Sequence, residues 1–291
     1  MTACPPDVAL HLSVVQAAVL GLTQGVSEFL PISSSGHLIV VPWAFGWRDV
    51  YCAKEGNKLF DVALHLGTFA GAAYYLRRDL WDLIRAFFAS VAARAVRSPR
   101  ERLAWYLALS AIPGALAGAA FESVIAEHLG QPWQIAAFLA VFGVLLWQVD
   151  RRAPQVTGYD DLQPRQVGAM AVAQAVALMP GVSRSGITIT AARATGVSRD
   201  AAARFSFLMS LPIILGAGLY SALSLGSSGI GGQGVPFAVG IAASAVSGGL
   251  AVFGVLSFLR RHSFGAFAAY RAAAAAFILL LVATGARPGS L

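Results

Sequence analysis

Long apolar runs alternate along the chain with short arginine-bearing stretches. Residues 60–77, 103–121, 133–149, 203–222, 235–259 and 267–285 each approach the ~20 apolar residues that a helix needs to cross a bilayer core, and they predict about six full spans. Two further apolar stretches, 8–46 and 166–192, are interrupted by Pro, Gly and Ser. Residues 79–101 differ again. Trp81, Ile84, Phe87, Phe88 and Val91 are interleaved there with Arg85, Arg94 and Arg97. That pattern predicts an amphipathic segment lying in the membrane interface, with a polar loop as the alternative.

Composition agrees with this pattern. Hydrophobic residues make up 57% of the 291 residues and charged ones 12%, about half the usual ~25% of a soluble chain. A soluble enzyme, a disordered chain and a nucleic-acid-coating protein are all disfavoured. The net charge of +7 comes from arginines scattered between apolar runs, so no nucleic-acid partner is expected. Cys4 and Cys52 lack metal-ligand spacing and are read as incidental small residues, with a disulfide as the alternative. The N-terminus shows no basic region before its apolar run, so no cleavable signal peptide is expected. The class that remains is an all-α polytopic membrane protein, with residues 1–291 as a single integral domain.

Positive charge orients the spans. Arginines from Arg77 to Arg102, then Arg151, Arg152 and Arg165, then Arg193, Arg199 and Arg204, then Arg260, Arg261 and Arg271 can all face the cytoplasm without conflict. The outer side then holds Arg48, Lys54, Lys58 and Arg287. The segment 166–192 must enter from the cytoplasm and return. The segment 8–46 can mirror it from the outside, which places both termini outside. Both read as re-entrant hairpins, whose irregular backbone is tolerated only when buried in protein or lining a wet cavity.

The two interrupted segments also resemble each other. Gln24 to His37 reads QGVSEFLPISSSGH, and Gln174 to Thr190 reads QAVALMPGVSRSGITIT. Each has a Gln, an apolar stretch, a Pro and then Ser-X-Ser-Gly. AIPGALAG from Ala111 and SLPIILGAG from Ser210 form a second echo. The wider spacing in the first half fits an insertion of about 50 residues. Repetition with opposite entry sides predicts an inverted-topology repeat, whose site lies where the broken helices meet.

Glu28 is the only acidic residue from Val8 to Phe45, and an intramembrane carboxylate marks a site by default. Gln24 lies one turn earlier on the same face. The two are expected to offer oxygens to a hard cation, Mg²⁺ or Ca²⁺, with substrate phosphates supplying the other ligands. Ser33, Ser34, Ser35, Gly36 and His37 follow the helix stop at Pro31, and a serine cap before free N–H groups is an anion pocket. Ser183, Arg184 and Ser185 repeat this after Pro180, with Thr188 one turn further on. A guanidinium fork matches phosphate oxygens. A structural Arg184–Glu28 salt bridge is the alternative. Gly114 and Gly118 are expected to allow close helix packing. The run Gly226 to Gly234 is read as an outer turn, and His65, inside a span, as a packing residue with a place facing the cavity as the alternative.

QGVSEFLPISSSGHL and PGVSRSGITIT together resemble the motif pair of the undecaprenyl-diphosphate phosphatase family, also called bacitracin-resistance proteins. Length, span number and motif order agree as well. The resemblance implies interdigitated inverted repeats in the bacterial inner membrane. It implies hydrolysis of undecaprenyl diphosphate to the monophosphate carrier of cell-wall assembly, at a site facing outward, with bacitracin competing for the lipid substrate. A homodimer in the bilayer is the oligomer considered. It also implies roles for Glu28, Ser33, Ser34, Ser35, His37, Ser183, Arg184, Ser185 and Thr188. Gln24 stands where many members have Glu, which leaves one fewer carboxylate for a metal.

The expected division of labour is as follows. Arg184 takes the phosphate oxygens, assisted by Ser183, Ser185 and Thr188. Glu28 with Gln24 holds the cation or orients the nucleophile. Ser34 attacks with His37 as acid/base, and attack by His37 itself or by water are the alternatives. The rival class is a transporter or flippase of a prenyl-phosphate lipid, because inverted repeats with broken helices are also a transporter signature.

Overall fold

The computed structural model describes residues 10–224 and 232–290, apart from the side chains of residues 54, 55, 122 and 221–224. Cys4 and most of the 226–234 run lie outside the described residues. The described chain forms helices α1 (Val14–Phe29), α2 (Ser34–Phe45), α3 (Arg48–Tyr51), α4 (Lys54–Tyr75), α5 (Arg77–Ala93) and α6 (Pro99–His128). These are followed by α7 (Pro132–Arg152), α8 (Pro164–Val176), α9 (Arg184–Ala194), α10 (Arg199–Ser224), α11 (Gly234–Leu259) and α12 (Gly265–Ala283).

Five of them, α6, α7, α10, α11 and α12, contain stretches long and apolar enough to cross a membrane. The chain is therefore an all-α polytopic membrane protein. The sixth expected span, 60–77, falls mostly in α4. That helix has the length, with 22 residues, but Asp61, His65 and Thr68 interrupt its apolar character.

Two pairs of shorter helices meet at breaks. Helices α1 and α2 have 16 and 12 residues, and α8 and α9 have 13 and 11. At 1.5 Å per residue each is shorter than a bilayer core of ~30 Å. A capping box at Ser13 and Gln16 starts α1. Leu30 and Pro31 end it, because a proline ring disfavours the helical conformation of the residue before it. The chain restarts at Ser33, which adopts φ 78°, and after the second break at Ser183, with φ 75°. Such angles are uncommon for residues with a β-carbon. Each serine then caps the helix that follows: Ser33 Oγ accepts from Gly36 N at 3.4 Å, and Ser183 Oγ from Gly186 N at 3.1 Å.

Arg271 ties the two breaks together. Its side chain is fully buried. Nη1 donates to Pro31 O at 3.1 Å in the first break. Nη2 donates to Gly181 O and Val182 O in the second at 2.9 and 3.1 Å. The remaining bonds go to Leu139 O and Phe138 O on α7. Carbonyls freed by a broken helix must find donors inside a membrane protein, and one guanidinium supplies them here. Arg271 is thus no loop charge, as its place among the orienting arginines assumed.

Arg193 is also buried. It pairs with Asp150 at 2.8 Å, which further accepts from Arg199 at 2.8 Å and from Phe264 N at 3.2 Å. Arg204 grips Asp79 with two bonds, of 3.1 and 2.6 Å. Several charges that a count treats as topogenic are therefore structural.

Helices α1 and α4 both pack on α11 through small residues. A β-carbon on Gly25 would lie 2.0 Å from Ser247 Oγ, and one on Gly71 would lie 2.0 Å from Ala245 O. Close backbone approach is the usual means of helix association in lipid. The expectation of such packing at Gly114 and Gly118 is not met. Gly118 has nothing within 4 Å of a built β-carbon, and Gly114 has only ordinary contacts.

The 79–101 stretch divides between two helices. Arg94 ends α5 in a left-handed conformation, and Ser98 caps α6 with a capping box to Glu101. On α5, Leu83 and Ser90 face inward while Trp81, Ile84, Phe88 and Val91 are exposed. Cys52, read from sequence as an incidental residue, is disulfide-bonded.

Candidate active site

The two breaks touch. Gly181 N donates to Ser33 Oγ at 3.0 Å, and Ser185 Oγ donates to Leu30 O at 3.1 Å. These contacts bring the start of α2 against the start of α9. Both helix N-termini carry free backbone N–H groups, and their dipoles favour an anion.

Glu28 projects from the last turn of α1 and is almost wholly buried. Its Oε1 accepts a hydrogen bond from Arg184 Nη2. Its Oε2 accepts from Ser34 Oγ at 2.5 Å and from Gln24 Nε2 at 3.0 Å. His65 Nε2, from α4, lies 3.5 Å from the same oxygen. The salt-bridge reading of Arg184 is therefore the arrangement of the described structure. It is also the arrangement of a site, because the pair lines a cavity of about 290 Å³.

Glu28, Ser34, Ser35, His65, Gln174, Ser183 and Arg184 form the polar part of that cavity. Val62 on α4, Leu178 and the α10 residues Ile213, Ile214 and Ala217 form an apolar wall. A charged head and an apolar tail can thus be accommodated side by side.

Other expected site residues fall elsewhere. Ser33 and Ser185 are buried and tie the breaks together, as described above. Thr188 bonds to Arg184 O at 2.8 Å and to Ser206 Oγ at 2.7 Å, both within packed helices. His37 lines a separate cavity with Tyr270. Its Nδ1 donates to Ser33 O at 2.7 Å, and the Tyr270 hydroxyl donates to its Nε2 at 2.8 Å. It lies three residues from Ser34 along α2, yet its ring is held by Ser33 O and Tyr270 rather than by the carboxylate.

The expected metal pair does not form. Gln24 turns its nitrogen, not its oxygen, toward Glu28, and both Glu28 oxygens already hold donors. Among the described residues there is no group of three or more His, Cys, Asp or Glu that could hold a metal ion. Glu28 and Gln24 could supply at most a few protein oxygens to a cation, and Gln24 Oε1 is buried without a hydrogen-bond partner.

Sequence reasoning undervalued three residues. The residue pattern points His65 first to packing, Arg271 to a loop charge and Gln174 to the repeat alone. Gln174 donates from Nε2 to Ser110 O at 2.7 Å. A polar side chain inside an apolar run was the available signal for both His65 and Arg271.

Comparison with known proteins gives a consistent result. Residues 17–277 match the family described as bacitracin resistance protein BacA. The undecaprenyl-diphosphatase of Pelobacter propionicus is 42% identical over 94% of this chain and 99% of its own length. That of Moorella thermoacetica is 43% identical over 92% and 97%, and that of Thermomicrobium roseum 42% over 93% and 99%.

Proposed function

The chain belongs to the bacitracin resistance protein BacA family, and from that premise we propose that it is an undecaprenyl-diphosphatase. It hydrolyses undecaprenyl diphosphate to undecaprenyl phosphate and inorganic phosphate, which returns the lipid carrier to cell-wall synthesis. The observation that carries this reading is the convergence of Ser34 and Arg184 on the single buried carboxylate of Glu28. A nucleophile beside a base and an anion-binding fork suits phosphoryl transfer, which needs positioning and charge stabilisation above all.

In this reading Arg184 leaves Glu28 for the terminal phosphate, with Ser183, Ser35 and the α2 and α9 N–H groups around it. Ser34 Oγ attacks that phosphorus and passes its proton to Glu28. The Oγ–P bond forms as the bond from phosphorus to the bridging oxygen breaks, and undecaprenyl phosphate departs. Water then cleaves the phosphoserine, Ser34 recovers a proton and phosphate leaves. Ser33, Ser185, Thr188 and His37 hold the helix starts in register. A Mg²⁺ or Ca²⁺ ion bound with the diphosphate would neutralise part of its charge, with Glu28 and Gln24 as the protein groups nearest to hold it.

The site opens to the outer face of a bacterial inner membrane in this reading, with both termini outside. The arginines from Arg77 to Arg102, with Arg151, Arg152, Arg165, Arg260 and Arg261, support that orientation. So does the disulfide at Cys52, since disulfides persist on the oxidising side. Bacitracin competes by binding the same prenyl diphosphate. A transporter would need only the anion cradle, whereas the Ser34–Glu28 pair favours chemistry. The test is phosphate release from undecaprenyl diphosphate by purified protein in detergent. Release that is lost in Glu28→Ala is expected, and absence of release by the unmodified protein would refute the reading.

A further inference from the structure

The geometry points to His65 as a substrate-contacting residue, one that holds the prenyl-linked phosphate of the diphosphate while Arg184 holds the terminal one. The inference rests on the diphosphatase reading above and deepens it. His65 lies in α4, outside both breaks. Its Nδ1 donates to Asp61 O at 2.7 Å, one turn back. That bond fixes the ring and aims Nε2 at the cavity, 3.5 Å from Glu28 Oε2. The His65 side chain is 32% exposed, against 18% for Arg184 and 5% for Glu28. It is the most open of the three, so an incoming ligand meets it first.

A diphosphate presents two anionic groups, and one guanidinium fork grips one of them. Among the described residues lining the cavity, only His65, Gln174 and Arg184 carry side-chain nitrogen. Gln174 commits its nitrogen to Ser110 O, so His65 is left for the second phosphate; with Nδ1 donating to Asp61 O, it meets that phosphate as an imidazolium whose Nε2–H donates to a phosphate oxygen. The apolar wall decides which phosphate that is. Val62 lines the cavity one helical turn from His65 on the same face of α4, opposite Ile213, Ile214 and Ala217 of α10. A prenyl chain lying against these residues puts its own phosphate at His65. The terminal phosphate then reaches Ser34 and Arg184. Glu28 surrenders two donors to the substrate and keeps the Ser34 hydroxyl.

The two products separate these contacts. Undecaprenyl phosphate carries the group assigned to His65, and inorganic phosphate the group assigned to Arg184. Inhibition of undecaprenyl diphosphate hydrolysis by each product is to be measured in detergent for the unmodified protein, His65→Ala and His65→Gln, with melting temperatures alongside. In His65→Ala the inhibition constant for undecaprenyl phosphate should rise about tenfold, the scale of one lost contact to a charged group. That for inorganic phosphate should stay within about twofold. His65→Gln retains an N–H donor and should fall between; it also decides the matter if His65→Ala fails to fold. Unchanged inhibition by undecaprenyl phosphate, or equal weakening of both products, would overturn the assignment. Absence of phosphate release by the unmodified protein would overturn the diphosphatase reading itself, and this inference with it.

Discussion

Arg184 and Glu28 form an ion pair across the two helix breaks, although 156 positions separate them in sequence. The pair bridges the two breaks, and a phosphate that takes Arg184 must open it. Neither charge is stable alone at this depth.

Arg184→Ala should therefore lower kcat for undecaprenyl diphosphate by about 10²–10³-fold, the scale of a lost transition-state donor. Arg184→Lys should recover a minor part, because an ammonium lacks the planar fork. Phosphate release in detergent checks both.

Ser34→Ala and Ser33→Ala should separate chemistry from architecture. Ser34 donates to Glu28, whereas Ser33 caps α2 and receives Gly181 N. Ser34→Ala should abolish turnover at nearly unchanged melting temperature. Ser33→Ala should cost about 1–2 kcal/mol of stability, the usual range for a lost cap. Turnover and thermal unfolding, run in parallel, distinguish them.

Arg271→Leu should be the most destabilising of these changes. It strips a donor from five carbonyls at once, at a cost of several kcal/mol on the scale of about 1–3 kcal/mol per unsatisfied buried group. Denaturation in a fixed detergent is the measurement, and a wild-type melting temperature would contradict this account of the breaks.

Gln24→Ala should leave the Mg²⁺ concentration for half-maximal activity within about twofold of wild type, since a cation held mainly by substrate phosphates depends little on this side chain. A large loss of Mg²⁺ response would make Gln24 a principal ligand. Titrating Mg²⁺ after chelation settles it.

Much of the fold was legible because apolar length is a strong one-dimensional signal. The five apolar spans and the stop at Pro31 could be read from residue order, whereas α8 ends at Val176, four residues before the expected stop at Pro180. The repeat of Ser-X-Ser-Gly also put a serine at the same place in each break, and both Ser33 and Ser183 take a positive φ and cap the next helix. The aligned middle positions are Ser34 and Arg184, the two side chains that meet on Glu28.

His65 was not legible in the same way. Whether a helix residue faces lipid, a neighbour or a cavity depends on the rotation of the helix about its axis. Small residues set that rotation for α4: Gly67 and Gly71 press against α11. His65 precedes Gly67 by two positions, about 200° around the helix, and so turns toward the cavity. His37 shows the converse, since its motif neighbours reach the cavity while its ring turns to Tyr270.

By itself, the sequence determined that this chain lives in a membrane, where its helices must break, and that one acid and one guanidinium lie too deep to remain unpaired. Those conclusions follow from the cost of moving backbone and charge out of water, which each segment incurs locally. Only the tertiary structure decided which groups meet: Arg271 beneath both breaks, Gln24 presenting nitrogen instead of oxygen, His65 rather than His37 beside Glu28. Such choices depend on the close packing of α1, α4 and α11, and packing is a property of the assembled helices that no single segment contains.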